Sequence, residues 1–199
     1  MEPDEHLQER EASKKKSYQK QKGACLTEKD TKLFYKLYFG LLDFTNQKYK
    51  IKQDYKIYKQ LGLDPHELID IINKFWSNKE QLIMEFKMAN PYHFSKEELK
   101  IVDQFRKGIR DIYIIAKFEL EYTGFLTQDK VYMVKGINDN LDNIISYKEL
   151  PQAVFTTILP FKNVLIYDGI FSAFPIDLKN SYGKEIEEDY SRLMKYYHL

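Results

Sequence analysis

Cysteine, histidine and glycine are too sparse in this sequence to support several common kinds of functional site. The only cysteine, Cys25, cannot form an internal disulfide or supply a cysteine-based zinc site. The eight glycines are scattered, so no glycine-rich phosphate loop exists, and the G-x-S-x-G nucleophile motif is absent. The four histidines are not spaced as metal ligands; they are His6, His66, His93 and His198. The sequence therefore predicts no metal and no cofactor, and it favours a protein that is not an enzyme.

Long hydrophobic runs and an excess charge of one sign are also missing. No run approaches 18 apolar residues, and the charged N-terminus has no apolar signal core, so we expect a cytoplasmic protein without a membrane partner. Thirty-one basic residues against 30 acidic ones give a net charge of +1. This balance argues against a dedicated nucleic-acid binder, although a local basic patch remains open.

The sequence predicts a charged arm followed by one folded domain. Residues 1–24 have almost nothing to bury, so they are expected to be disordered or weakly helical. Three consecutive lysines in this arm, Lys14, Lys15 and Lys16, can contact phosphate groups, or they can belong to a solvated tail. Residues 25–199 are expected to form a single α+β domain, since they are long enough to bury a core without disulfides.

Helical spacing of apolar residues dominates residues 25–117. A first helix is predicted to begin after Thr27 and to run to about Thr45. The Asp64–Glu67 stretch indicates a second helix start, and the apolar stripe that follows fits either one helix to about Met88 or two. A third long helix is predicted to begin at Ser95, with this buried stripe: Leu99, Val102, Phe105, Ile109, Ile112, Tyr113 and Ala116.

Alternating patterns then indicate strands over residues 118–176. Two hairpins are predicted, the first from Leu120–Leu126 and Val131–Lys135, the second from Val154–Leu159 and Val164–Tyr167. A C-terminal helix is expected within residues 182–199. The predicted fold is a helical N-terminal half packed on a four-stranded antiparallel sheet of two hairpins, with the last helix closing the core.

A few residues near one end of this sheet are candidates for a binding or catalytic role. Asp168 precedes Gly169, which is ordinary turn chemistry, but its carboxylate can also serve a ligand or a reaction. Lys135, Lys162 and Tyr132 are expected near the same sheet end, where solvated side chains explain the lysines equally well. Cys25 precedes a helix start that would lower the pKa of its thiol, although an incidental thiol is the simpler interpretation.

Tyrosine is unusually abundant, with 16 residues. Tyrosines beside lysines suit a protein interface or single-stranded nucleic acid, whereas codon bias explains them without any function. Those in the first and last helical regions are Tyr35, Tyr38, Tyr49, Tyr55, Tyr58, Tyr190, Tyr196 and Tyr197.

Two stretches resemble a known family. Residues 131–136 read V-Y-M-V-K-G, and residues 159–169 read L-P-F-K-N-V-L-I-Y-D-G. They are similar to bacterial proteins of unknown function that share a V-Y-x-V-x-G strand and an L-P-F-K-x-x-I-x-Y-D-G hairpin. Some of those proteins carry a SEC-C type zinc knuckle after the hairpin. This sequence has no cysteine after Asp168, so the resemblance implies a bacterial protein with two hairpins, but neither a metal nor an activity.

Three functions are compatible with these patterns. The leading hypothesis is a non-enzymatic protein-interaction or regulatory module whose partner is another protein. The first alternative is a nucleic-acid-associated regulator that uses the basic arm, and the second is an enzyme with a site near Asp168. The oligomeric state does not follow from the sequence.

Overall fold

A computed structural model describes residues 23–53, residue 57 and residues 65–197, together with their side chains except those of residues 65, 66 and 197. Five α-helices and five β-strands follow one another in these residues, with helices first, then strands, then one last helix. The α+β class is therefore confirmed. None of the helices described is both long and apolar enough to cross a membrane.

The first helix, α1, spans Glu28–Tyr49. Its start is the predicted one, because the Thr27 hydroxyl accepts a hydrogen bond from the backbone N–H of Asp30 at 3.2 Å. It continues about one turn beyond the predicted end and stops where Lys50 adopts the left-handed conformation.

The stretch from residue 65 to residue 89 forms two helices rather than one. A 3₁₀ turn over Pro65–Leu68 leads into α2, Ile69–Ser77, and α3 spans Lys79–Ala89. Asn78 separates the two helices because its backbone leaves the helical region, with φ of −129°. The left-handed Asn90, just before Pro91, ends α3 as predicted.

The third predicted helix is much shorter than expected. Helix α4 begins at the predicted Ser95 capping box but spans only Lys96–Gln104. After a 3₁₀ turn and Gly108, the chain forms strand β1 over Ile109–Phe118, so the prediction of a helix to Ala116 was wrong. The residues of β1 are rich in β-branched and aromatic side chains, which favour a strand. Their apolar spacing matches a helix only by coincidence.

The strands form a closed barrel, which corrects the predicted four-stranded antiparallel sheet. The others are β2 over Thr123–Leu126, β3 over Val131–Lys135, β4 over Gln152–Phe161 and β5 over Val164–Ala173. Both predicted hairpins are present, as β2–β3 and β4–β5. The unpredicted β1 pairs with both β2 and β4, and β3 pairs in parallel with β5, so the two hairpins become one mixed sheet closed on itself.

The strand order β1-β2-β3-β5-β4 is the connectivity of the OB-fold, a five-stranded Greek-key barrel. Such a connectivity describes a fold that hosts many functions and does not by itself assign one.

Helices cover the barrel on two sides. Helices α1 and α2 pack against β4 and β5, as the T-shaped contact between Phe34 and Phe161 illustrates, with ring centroids 5.7 Å apart. The C-terminal helix α5 spans Leu178–Met194 and thus begins earlier than predicted. It packs on the outer face of β1, β2 and β3 through a hydrophobic cluster separate from the main core.

Candidate functional site

Asp168 lies within β5 and not in the turn of its hairpin. The turn is formed by Lys162 and Asn163, between β4 and β5. At Asp168 the register between the two strands shifts, because the three residues 168–170 stand opposite Thr157 alone. Gly169, with φ of +94°, supplies the backbone conformation that this bulge requires. The bulge directs the Asp168 side chain into the interface between barrel and helices, where only 1% of it is exposed.

Four groups that favour the charged form surround the buried Asp168 carboxylate, and the buried Tyr38 hydroxyl lies beside it as well. The Trp76 indole N–H donates to Asp168 Oδ2 at 3.0 Å, and the backbone N–H of Ile170 donates to Oδ1 at 3.3 Å. Arg110 Nη1 lies 3.6 Å from Oδ2, and the Thr157 hydroxyl also hydrogen-bonds the carboxylate. Burial raises the pKa of Asp168, and these four neighbours oppose that rise.

Arg110 links this buried group to the surface. Its Nη2 donates to the side-chain oxygen of Asn73 on α2 at 2.7 Å, while Nη1 faces Asp168. The guanidinium carbon lies 4.9 Å from the centroid of the Phe155 ring, a cation–π distance. A planar guanidinium with partners on two sides and a ring beneath it is held in one orientation.

Phe155 belongs to an apolar surface on the outside of the barrel that none of the described helices covers. It stands directly opposite Ile112 on β1 and Ser172 on β5. Ile112 is 53% exposed and Phe155 36% exposed. We call Arg110, Ile112, Phe155 and Ser172 the β1–β4 surface.

The β1–β4 surface lies between the two helical covers of the barrel. Ile114, the next outward residue of β1, packs against the cluster that holds α5. On the other side, Arg110 is bonded to Asn73 of α2. Among the residues that the structure describes, Ile112 and Phe155 therefore stand on a strip of barrel between the two helical covers.

The other predicted site residues each contact a different neighbour. Lys162 forms an ion pair with Asp30 of α1, and Lys135 donates to the backbone oxygen of Gly23. Tyr132 packs edge-on against Tyr113 with ring centroids 5.7 Å apart. Asp168 instead contacts Trp76 and Arg110, so these contacts do not assemble the proposed sheet-end site. Lys14, Lys15 and Lys16 lie outside the described residues.

Several of the tyrosines expected at a binding surface are in the core. Tyr38 and Tyr190 are buried, and Tyr35 and Tyr49 are half-buried against the main cluster. Tyr196 is exposed. The remaining three fall outside the described side chains: Tyr55, Tyr58 and Tyr197.

The described residues offer no metal centre and no activated thiol. Within residues 23–53, 57 and 65–197, no group of three or more His, Cys, Asp or Glu side chains is arranged to hold a metal ion. Burial and the nearby charge of Asp139 raise the pKa of Cys25, contrary to the lowering that a helix start would cause.

Sequence reasoning identified Asp168 but missed Arg110, Trp76 and Phe155. Once β1 is placed in register with β4, Arg110 and Ile112 fall on the outer face, and this pairing was the missing information.

In comparisons with known proteins, the chain gives no significant match to a family model, a curated protein or a solved structure. The resemblance to the bacterial hairpin family therefore stays a prediction.

Proposed function

We propose that this protein is a cytoplasmic, non-enzymatic interaction module that binds another protein through the β1–β4 surface. The carrying observation is the exposed pair of Ile112 and Phe155, directly opposite each other beside Arg110. Single exposed apolar residues are normal, but here two adjacent ones stand on rigid strands next to an immobilised arginine. Aromatic residues and arginine are the residue types enriched at the centres of protein interfaces.

Burial of Asp168 favours this proposal over an enzyme with a site at that residue. With 1% of the side chain exposed, a substrate has no access to the carboxylate in this structure. Its contacts with Trp76 and Arg110 give it a structural role: it holds the guanidinium that stands beside Phe155.

Nucleic acid receives less support from the described residues than a protein partner does. The outer face of β2 and β3, which binds oligonucleotides in many OB-folds, is packed under α5. The β4–β5 connection, another frequent contact in that fold, has only two residues here. A role for the lysines of the arm remains a separate hypothesis.

Site-specific photo-crosslinking in cells tests the proposed interface. A benzophenone amino acid replaces Ile112 in one variant and Met88, a 72% exposed residue at the end of α3, in the control. We expect a discrete adduct with another protein from position 112 and not from position 88. The adduct should disappear when Phe155→Ser is added. Equal labelling from both positions would contradict the proposal.

A further inference from the structure

Strand β1 extends beyond the strand that pairs with it on one side. Its residues from Ile109 to Ile115 pair with β4, whereas the ladder with β2 begins only at Ile114. Strand β2 ends at Leu126, opposite Ile114, and the chain then turns into β3. In the part of the chain that the structure describes, no strand therefore pairs with residues 109–113 on the side away from β4. We call this side of residues 109–113 the β1 edge.

The backbone groups of Arg110 and Ile112 point toward the β1 edge. The N–H of Ile112 donates to Oδ1 of the Asp111 side chain at 2.7 Å, and it is therefore not part of the ladder with β4. Successive residues of a strand direct their backbone N–H and C=O groups to alternate sides, so the groups of Arg110 face the same side as those of Ile112. The β1 edge thus has the donor and acceptor spacing of a strand that lacks a neighbour, with one N–H capped by a carboxylate.

Exposed isoleucines flank the β1 edge on both faces of the strand. Ile109 is 46% exposed and Ile112 is 53% exposed. The two residues are three positions apart, so their side chains lie on opposite faces of β1, Ile112 with Phe155 and Ile109 with the exposed Asp111. A chain that lies in the plane of the sheet therefore contacts both isoleucines, whereas a molecule that lies on the outer face contacts Ile112 alone.

We infer that the protein partner contributes an extended segment that pairs with the β1 edge as an added strand, with a basic residue opposite Asp111 and an apolar residue opposite Ile112. Strand addition satisfies the backbone groups of such an edge, and the side chains of the added strand supply specificity. A backbone C=O of the segment accepts the Ile112 N–H in place of Asp111, and the released carboxylate then pairs with the basic side chain. The inference rests on the proposed function, because the added strand lies beside Ile112 of the β1–β4 surface.

The charge of Asp111 favours a different protein over a second copy of this chain as the source of the added strand. The antiparallel register that uses both Arg110 and Ile112 of each copy sets Asp111 of one copy directly opposite Asp111 of the other. Like charges at opposed positions destabilise a strand pair, and natural sheets use charged edge residues to prevent self-pairing. A segment of another protein can carry lysine or arginine at that position, where opposite charges stabilise the pair.

Photo-crosslinking of the full-length protein in cells from position 109 tests the inference. A benzophenone amino acid replaces Ile109, and mass spectrometry maps the adduct. We expect position 109 to label the same protein as position 112 does, within one short segment that contains a lysine or arginine.

Two pairs of variants in the position-109 background then separate strand pairing from other contacts. Ile112→Pro removes the N–H at the β1 edge without breaking the ladder with β4, and we expect it to reduce the adduct at least tenfold. Ile112→Val keeps this N–H and should retain the adduct. Asp111→Lys should also reduce the adduct at least tenfold, and the neutral Asp111→Asn should reduce it less.

The two positions distinguish failure of the added strand from failure of the proposed function. An adduct from position 112 but none from position 109 would overturn the added strand and leave the proposed function standing. Undiminished labelling from position 109 in a folded Ile112→Pro variant would also overturn it, as would an adduct with a second copy of this chain or one that nuclease removes. If Ile112→Pro does not fold by Trp76 fluorescence, Asp111→Lys decides by the same criterion. No adduct from either position would contradict the proposed function and the added strand together.

Discussion

The indole N–H of Trp76 donates a hydrogen bond to the buried carboxylate of Asp168 across 3.0 Å. This bond joins α2 to β5 through two residues that are 92 positions apart in the sequence. Trp76 is the only tryptophan in the chain, so its fluorescence reports on this contact without a signal from a second tryptophan. The same carboxylate faces Arg110. Asp168 therefore contacts both a helix that packs on the barrel and the arginine of the β1–β4 surface.

Replacing Asp168 with alanine should destabilise the protein strongly. The substitution leaves the buried Trp76 N–H with only the Tyr38 hydroxyl as acceptor, at 3.2 Å, and removes the charge that faces Arg110. We expect a loss of about 3 kcal/mol in the free energy of unfolding, measured by urea denaturation, and a red shift of Trp76 emission. Asp168→Asn, which keeps an acceptor, is the matched control and should lose less. An unchanged urea midpoint for Asp168→Ala would refute the structural role of this residue.

The raised pKa of Asp168 predicts a pH dependence of stability with a definite sign. Burial is its largest cause. Because the folded protein then holds this proton more tightly than the unfolded chain does, the contribution of the group is fully present below the unfolded pKa. It is lost as the pH rises through the folded pKa. The stability of the wild type relative to Asp168→Asn should therefore fall as the pH rises from about 4.

Measuring the difference between the two proteins isolates Asp168 from other carboxylates. Hydrogen bonds from lysines are the largest cause of the lowered pKa values of Asp30 and Asp103. Burial raises the pKa of Glu98, but hydrogen bonds from Lys36 and Ser95 together outweigh it and leave this pKa lowered as well. Their stabilisation is lost at acid pH in both proteins and cancels in the difference. Urea midpoints of both proteins at a series of pH values provide the measurement. If the stability of the wild type minus that of Asp168→Asn increased with rising pH, the predicted direction would be wrong.

Gly124→Ala should loosen α5 selectively. The added Cβ overlaps the Tyr190 ring, and we expect a cost of about 1–3 kcal/mol. Hydrogen exchange monitored by mass spectrometry should show faster exchange in residues 178–194 and unchanged exchange in α1–α4. In a Tyr190→Ala background the same substitution should cost much less, since the ring it meets is gone. Additive effects of the two changes on the free energy of unfolding would argue against a close contact between Gly124 and the Tyr190 ring.

Ile112→Thr should leave stability nearly unchanged. The side chain is more than half exposed, and threonine keeps the β-branched shape that strands favour. A change within about 0.5 kcal/mol is expected from chemical denaturation. Ile115→Thr, on the buried face of the same strand, is the matched control and should cost several-fold more. If both variants lose the same stability, Ile112 contributes to the core and is not free for a partner.

Local signals in the sequence were sufficient for most of the helix starts and for both hairpins. The Ser95–Glu98 capping box forms as predicted, and the hairpin around Lys162 has the expected two strands. These features depend on residues a few positions apart, where capping and turn chemistry act directly.

The pairing of strands that are far apart in the sequence could not be predicted from such local signals. The residues Ile109–Phe118 fit a helical stripe and a strand equally well by their apolar spacing, and only pairing with β4 decides between the two. Closure of the barrel depends on that one strand. A helix over these residues places Ile112 on its buried face, whereas the strand places Ile112 and Arg110 on the outer face of the barrel.

For Asp168, the local sequence predicts the backbone conformation of the next residue but not the partner of the side chain. The Asp-Gly pair indicated a turn, and Gly169 does adopt a positive φ, but in a bulge within β5. The partner Trp76 lies on a helix far away in the sequence, so no local pattern could reveal the hydrogen bond.

Crosslinking from position 112 with and without Phe155→Ser tests the central claim most directly. The account predicts one discrete protein adduct from a benzophenone at position 112, its loss when Phe155→Ser is added, and no such adduct from position 88. A position-112 adduct of undiminished intensity in the Phe155→Ser background, with the protein folded by Trp76 fluorescence, would contradict binding through the β1–β4 surface.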